Sequence, residues 1–91
     1  MRLEEVPDVQ QKDQWVYVIY KNHRRIVSER TIVPIHISFR TTPWHGNEPQ
    51  WILEAYDITD KDDVKIRSFA MADIIQWKAY EYDSNQIVDN R

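Results

Sequence analysis

WVYVIY, residues 15–20, is the stretch that decides the fold, because a run of β-branched and aromatic residues without glycine or proline favours a buried strand. Residues 21–24 read KNHR and predict a hairpin turn, since asparagine tolerates the positive φ of a tight reversal. Apolar and polar side chains then alternate over residues 25–33, which is typical of a half-buried strand. We therefore expect the folded part of the chain to begin with a β-hairpin.

Proline and turn-forming residues divide the remaining sequence into short strands. Pro34 has no N–H group to donate, so it marks a strand end, an edge or a bulge, and we expect the chain to bend there and continue as a third strand. A long loop is predicted over residues 41–50 and a turn over residues 59–63. Further strands are expected over residues 35–40, 51–57 and 64–70, which brings the number to five, with a single helical turn over residues 72–75 and a short closing strand over residues 77–82 outside this count. The pattern predicts a mainly β fold, a small five-stranded barrel with one short helical turn.

The length of 91 residues leaves room for one domain. We divide the chain into an N-terminal arm at residues 1–14, a barrel at residues 15–82 and a C-terminal tail at residues 83–91. There is no cysteine, so neither a disulfide nor a thiolate metal site is expected. The sequence also shows no signal peptide and no apolar run long enough to span a bilayer, and we predict a cytoplasmic protein without membrane association.

Charge is unevenly distributed along the chain, although its net value is only −3. Residues 21–40 contain five Lys or Arg and a single Glu, whereas residues 57–63 contain four Asp and a single Lys. This segregation predicts a basic hairpin and an acidic turn at opposite ends of one small body. An ordinary solvated surface with chance clustering is the alternative.

The order of several short motifs is similar to that of a known family. The motifs are Tyr20 before a basic turn, SERTIVP at residues 28–34, WILEAYD at residues 51–57, RSF at residues 67–69, and Ile74. In this order they resemble the WYL domain, a bacterial and phage module, over most of residues 15–76. The sequence has Ile52 at the tyrosine position of the family tripeptide, and Ala70 and Asp73 where the family commonly has arginine.

This resemblance implies an Sm-like or SH3-like barrel that binds or senses a ligand. The ligand of such domains is usually a nucleotide or a nucleic-acid fragment, and the domains often regulate transcription or defence. For this chain the resemblance implies a non-enzymatic sensor module for a nucleotide or short nucleic acid.

Arg30 and Arg67 are the first candidates for ligand contacts. Both fall on predicted strands, where two guanidinium groups at a barrel mouth would form bidentate contacts with phosphate or carboxylate. The alternative is that each arginine forms a structural ion pair with a carboxylate such as Glu54 or Asp57.

Aromatic residues supply the other candidates. Trp44 either stacks on a base or closes the end of the barrel, and the neighbouring His45 either donates to a ligand or is solvated. Trp51 either enters the core or forms a partly exposed platform, and Tyr20 can present its hydroxyl at the same mouth.

Catalysis and metal binding find little support in the sequence. Gly46 is the only glycine, so no phosphate loop or nucleophile elbow is present, and the three histidines fall on three separate elements. We expect no enzyme activity, no metal and no cofactor. Besides the ligand-binding module, two hypotheses remain: a protein-interaction adaptor that uses a strand edge and the aromatic surface, and a homo-oligomer in which open barrel edges pair.

Overall fold

The computed structural model describes residues 1–44 and 46–81. These residues form one antiparallel sheet with the strands β1 (Val16–Lys21), β2 (Val27–Arg40), β3 (Gln50–Asp57), β4 (Lys65–Ala70) and β5 (Ile74–Ala79). Short 3₁₀ turns occur at Leu3–Glu5, Pro7–Val9, Lys12–Gln14 and Met71–Asp73. The mainly β class with five strands, predicted from the alternation of apolar and polar residues, is confirmed.

The strands follow the order β4-β3-β2-β1-β5. Strands β1 to β4 form a meander, in which each strand pairs with the one before it. The 3₁₀ turn Met71–Asp73 then leads the chain back, so that β5 pairs with the other edge of β1. β4 and β5 are therefore the two outer strands in this order.

The second strand is longer than the sequence suggested. The division into two strands is wrong, because the strands expected over residues 25–33 and 35–40 are one strand, β2, whereas the bulge, one of the three interpretations of Pro34, is observed. Pro34 pairs with Ala55 and His36 pairs with Glu54, so Ile35 is an extra residue in a bulge. A bulge lets a strand keep a residue that cannot donate to the ladder, and it bends the strand instead of ending it.

Other element boundaries differ from the prediction by a few residues. The helical turn lies at Met71–Asp73 instead of residues 72–75, and the closing strand is β5, which starts three residues before the predicted residues 77–82. The first hairpin turn is where we expected it, but the positive φ, 67°, belongs to Arg25 and not to Asn22. Asn22 acts through its side chain, whose Oδ1 accepts the N–H groups of Arg24 at 2.8 Å and Ile26 at 3.0 Å.

Two apolar clusters hold the sheet together, one on each face. The first contains buried side chains from the four meander strands, namely Val18, Tyr20, Ile32, Leu53, Ala55 and Phe69. The second combines strand and loop residues with the N-terminal segment, namely Val6, Val9, Trp15, Val33, Ile58 and Val64. In a domain of this size, where burial is limited, the second cluster makes the N-terminal segment part of the fold.

Residues 1–14, expected to be an arm, pack against the sheet. Val9 is fully buried, and its carbonyl accepts the indole N–H of Trp15 at 2.8 Å. The hydroxyl of Tyr56 donates to Oδ2 of Asp8 at 2.9 Å, and this bond raises the pKa of Tyr56. These contacts hold the segment against β3. The predicted tail at residues 83–91 lies outside the described residues.

Candidate anion-binding cleft

A cleft of about 450 Å³ opens where the first hairpin turn, the loop after β2 and strand β4 come together. Its lining combines two arginines with aromatic and small polar side chains, namely Tyr20, Asn22, His23, Ser28, Arg30, Trp44, Ile66, Arg67, Ser68 and Phe69. Small-molecule sites in proteins fall in the same range of volumes. The cleft is therefore large enough for a ligand of nucleotide size.

The pairing register explains why the two arginines converge. Arg30 shares a face of the sheet with Ile32, since alternate residues of a strand point the same way. Ile32 is opposite Asp57, and Asp57 shares its face with Ala55. Ala55 is opposite Arg67. Arg30, Asp57 and Arg67 therefore project from the same face of three neighbouring strands.

One carboxylate oxygen contacts both guanidinium groups. Oδ2 of Asp57 lies 3.3 Å from Nη1 of Arg30 and 3.1 Å from Nε of Arg67. The Asp57 side chain is only 4% exposed, whereas those of Arg30 and Arg67 are 33% and 44% exposed. Two cations share one anion, so these three groups carry a formal charge of +1 at the cleft.

Further hydrogen bonds fix the positions of the charged groups. Oδ1 of Asp57 accepts the backbone N–H of Thr59 at 3.0 Å, which orients the carboxylate at the end of β3. Nε of Arg30 donates to Oγ of Ser28 at 3.3 Å. Because a guanidinium group is planar, these contacts restrict the orientation of Arg30 before any ligand arrives.

The floor of the cleft is aromatic. Tyr20 and Phe69 pack edge to face, with ring centroids 4.8 Å apart and an interplanar angle of 86°. Burial raises the pKa of the Tyr20 hydroxyl above its ordinary value of 10.0, although a hydrogen bond with the backbone of Ala70 acts in the opposite direction. Tyr20 therefore remains protonated and neutral at physiological pH.

Trp44 lies over the open side of the cleft. Its side chain is 62% exposed, and its ring centroid lies 5.9 Å from that of His23. These two residues lie beyond opposite ends of the 14-residue strand β2. A straight strand of this length would be roughly 45 Å long, so contact between the rings requires a strongly curved β2.

Four of the six predicted site residues, Tyr20, Arg30, Trp44 and Arg67, line this cleft. Trp51 lies elsewhere: it packs edge to face on Phe39, with centroids 5.3 Å apart, and of its two alternatives the partly exposed position is observed and the core position is not. His45 lies outside the described residues.

Several lining residues were not among the sequence-based candidates. Ser28 and Phe69 belong to the quoted motifs and lie two positions from Arg30 and Arg67. Alternation along a strand places residues two apart on one face, so the sequence contained a signal for both. Asn22 and His23 come from the hairpin turn between Tyr20 and Ser28 and carried no comparable signal, because residues of a turn follow no regular alternation.

A smaller recess of about 180 Å³ lies on the other side of the two arginines. Besides Arg30 and Arg67, its lining consists of charged side chains, namely Asp57, Asp60, Asp63 and Lys65. Arg30, one of the five basic residues of residues 21–40, therefore lies beside the acidic turn, whereas Lys21, Arg24 and Arg25 are not part of this lining. Within this lining, three carboxylates and three cations balance in formal charge.

Glu54, the other carboxylate considered as a partner for the arginines, belongs to a separate network. It accepts the hydroxyl of Ser68 at 2.6 Å and forms an ion pair with Arg40. The predicted alternative, in which Arg30 and Arg67 form structural ion pairs, is thus observed with Asp57 as the partner. Glu54 forms its ion pair with Arg40 instead.

Residues 1–44 and 46–81, the described part of the chain, contain neither a candidate metal site nor a candidate membrane-spanning helix. Within these ranges, no group of three or more His, Asp or Glu side chains is arranged to hold a metal ion. No helix in this part of the chain has the length and apolar character needed to cross a membrane.

Comparison of the chain with protein-family models, with curated proteins and with solved structures finds no match. The resemblance to the WYL domain consequently remains a hypothesis based on the motif residues.

Proposed function

We propose that this chain is a non-enzymatic ligand-binding module that holds a nucleotide, or a short nucleic-acid fragment, in the cleft between β2 and β4. The observation that carries the proposal is the convergence of Arg30 and Arg67, on one oxygen of Asp57, beside an aromatic wall. Phosphate would bind the guanidinium groups and a base would stack on Trp44.

Electrostatics favours an anion at this position. The arginines carry one more positive charge than Asp57 neutralises, and no carboxylate is part of the lining of the larger cleft. Arginine holds phosphate through two parallel hydrogen bonds, which give orientation as well as affinity. An incoming phosphate would therefore meet two guanidinium groups in the lining of the larger cleft, while the acidic side chains that balance them line the smaller recess.

The aromatic side chains extend the argument from an anion to a nucleotide. Trp44 exposes a ring face to solvent near His23, and an exposed indole is a suitable platform for a base. Ser28 and Asn22 add polar residues to the same lining. The volume of about 450 Å³ is compatible with one or two nucleotides.

The resemblance to the WYL domain supports the same interpretation. The motif residues Tyr20, Ser28, Arg30, Arg67 and Phe69 all line the cleft, although they come from three strands. In the family, such a module is often regulatory, and we extend this role and a bacterial or phage setting to the proposal. A cytoplasmic location is part of the proposal, and the absence of cysteine supports it.

The test is a thermal-shift and calorimetric titration with nucleoside mono- and diphosphates, cyclic nucleotides and short oligonucleotides at low and moderate salt. A ligand present at a hundred times its dissociation constant stabilises the native state by about 2.7 kcal/mol, which shifts the Tm of a small domain by several degrees. We expect a response that decreases as salt increases, because phosphate contacts are screened.

Arg30→Ala should abolish the response, whereas Arg24→Ala should retain it. Both variants lose one positive charge, but Arg24 is an exposed residue of the first hairpin turn outside the lining. Equal responses of the two variants would remove the arginine clamp from the proposal. If the unaltered protein shows no response to any nucleotide, the proposal fails, and the adaptor hypothesis, which predicts indifference to nucleotides, takes its place.

A further inference from the structure

The long hairpin formed by β2 and β3 leaves part of β2 with a neighbour on one side only. β1 pairs with β2 up to Ile32, whereas β3 pairs with β2 up to Arg40. Within the described part of the chain, residues 35–40 of β2 therefore face no strand on the side that β1 has left. Such an open edge presents backbone N–H and C=O groups that can pair with another extended segment.

The side chains at this edge are apolar and exposed. Ile37 and Phe39 project from the same face of β2, and Phe39 is paired with Trp51 across the hairpin. All three are more than half exposed, and the two rings pack edge to face. We call Ile37, Phe39 and Trp51 the hairpin strip. A contiguous apolar patch of large side chains indicates an interaction surface.

The hairpin strip carries little net charge. The nearest cation, Arg40, is paired with Glu54, which is itself held by Ser68. The hairpin strip therefore has no charged group that would attract a strongly charged partner strand. It also presents no unpaired charge that would repel an identical surface.

We propose that the open edge of β2 is a twofold interface, in which residues 35–39 pair antiparallel with the same residues of a second copy of this chain. In an isologous contact the same surface of both copies meets, so that surface must be complementary to itself. Residues 35–39 are complementary to themselves when the twofold axis passes through Ile37. The axis places these residues opposite each other: Ile37 and Ile37, Ile35 and Phe39, His36 and Ser38, Pro34 and Arg40.

This register matches side chains as well as backbone. Apolar residues face apolar residues, and the positive charge of Arg40 faces Pro34 instead of another cation. Pro34 has no N–H group, so it limits the ladder to the residues that follow it. The anion-binding cleft lies on other residues, so the interface does not depend on the proposed function.

Cross-linking provides a direct test because the chain contains no cysteine. Residues that face each other across an antiparallel pair have Cα atoms about 4.5 to 5.5 Å apart, which is within the range of a disulfide. The variant Ile37→Cys should therefore form a disulfide-linked dimer under mild oxidation. The matched control is Ile75→Cys on β5, since Ile75 is 59% exposed and Ile37 is 52% exposed.

Light scattering and sedimentation over a concentration series give the second readout. We expect the unaltered protein to dimerise, and Ile37→Lys to raise the dimer dissociation constant about tenfold or more through repulsion at the axis. Ile75→Lys should dimerise as the unaltered protein does. A monomer at the highest concentration, or cross-linking through Ile75→Cys as efficient as through Ile37→Cys, would overturn the proposal. Circular dichroism of each variant shows whether it is folded.

Discussion

Arg30 and Arg67 lie on strands that are not neighbours, yet both guanidinium groups contact Oδ2 of Asp57, at 3.3 and 3.1 Å. Strand β3 lies between them and supplies the shared carboxylate from its last residue. A buried carboxylate between two partly exposed cations acts as an internal anion. It stabilises the folded state and holds both arginines in position for an external anion.

Removing the carboxylate should weaken the fold and increase its response to anions. Asp57→Asn leaves two positive charges close together without a counter-ion, so we expect the free energy of unfolding to fall by about 2 kcal/mol. This is less than the loss for a fully buried ion pair, because both arginines are partly solvated. Added phosphate should raise the Tm of this variant more than that of the unaltered protein. Urea unfolding and thermal scans measure the two effects.

The control for this prediction is Asp62→Asn, which changes the net charge equally at an exposed position of the same acidic turn. It should affect stability by less than about 0.5 kcal/mol. If Asp57→Asn behaved like Asp62→Asn in both measurements, the shared ion pair would have no energetic role.

Trp44→Ala should separate the recognition of a base from the recognition of phosphate. Because Trp44 is largely exposed, its removal should hardly change stability, but a nucleoside monophosphate should lose about 1 to 3 kcal/mol of binding free energy. Calorimetry with the nucleotide and with inorganic phosphate tests this, and phosphate binding should be unchanged. Trp51→Ala removes an exposed indole outside the cleft and should bind both ligands normally.

The N-terminal segment should contribute to stability. Val9 is fully buried beneath Trp15, so Val9→Ala should lower the free energy of unfolding by about 2 kcal/mol through lost burial and an unfilled cavity. The same change at Val27, which is exposed at the start of β2, should cost less than about 0.5 kcal/mol. Chemical denaturation of the two variants would show whether residues 1–14 belong to the cooperative unit.

Alkaline pH should destabilise the protein through Tyr20. Its pKa is raised in the folded state, chiefly by burial, so the folded protein retains the phenolic proton more strongly than the unfolded chain does. The resulting stability is fully present below the ordinary pKa of 10.0 and is lost as the pH rises through the higher folded value. Tyr20→Phe cannot ionise, so its stability should fall less between pH 9 and pH 12 in denaturation experiments.

The class of the fold could be predicted from local patterns, whereas strand continuity could not. The apolar run WVYVIY and the strand pattern of residues 51–57 predicted a mainly β chain, and the hairpin turn at residues 21–24 was located correctly. Pro34 allowed three interpretations, a strand end, an edge or a bulge, and the local sequence did not choose among them. A bulge that pairs Pro34 with Ala55 is decided by the neighbouring strand and not by the sequence around the proline.

The sequence by itself determined that Arg30 and Arg67 fall on strands, and it named Asp57 as one of two carboxylates they could meet. Only the tertiary structure decided that both arginines meet the same oxygen of Asp57, that Glu54 binds Arg40, and that Trp44 reaches the cleft while Trp51 does not. The reason is that the side-chain direction along a strand follows local alternation, whereas the neighbours of that side chain depend on register and curvature. Both are set by backbone hydrogen bonds between segments far apart in the chain.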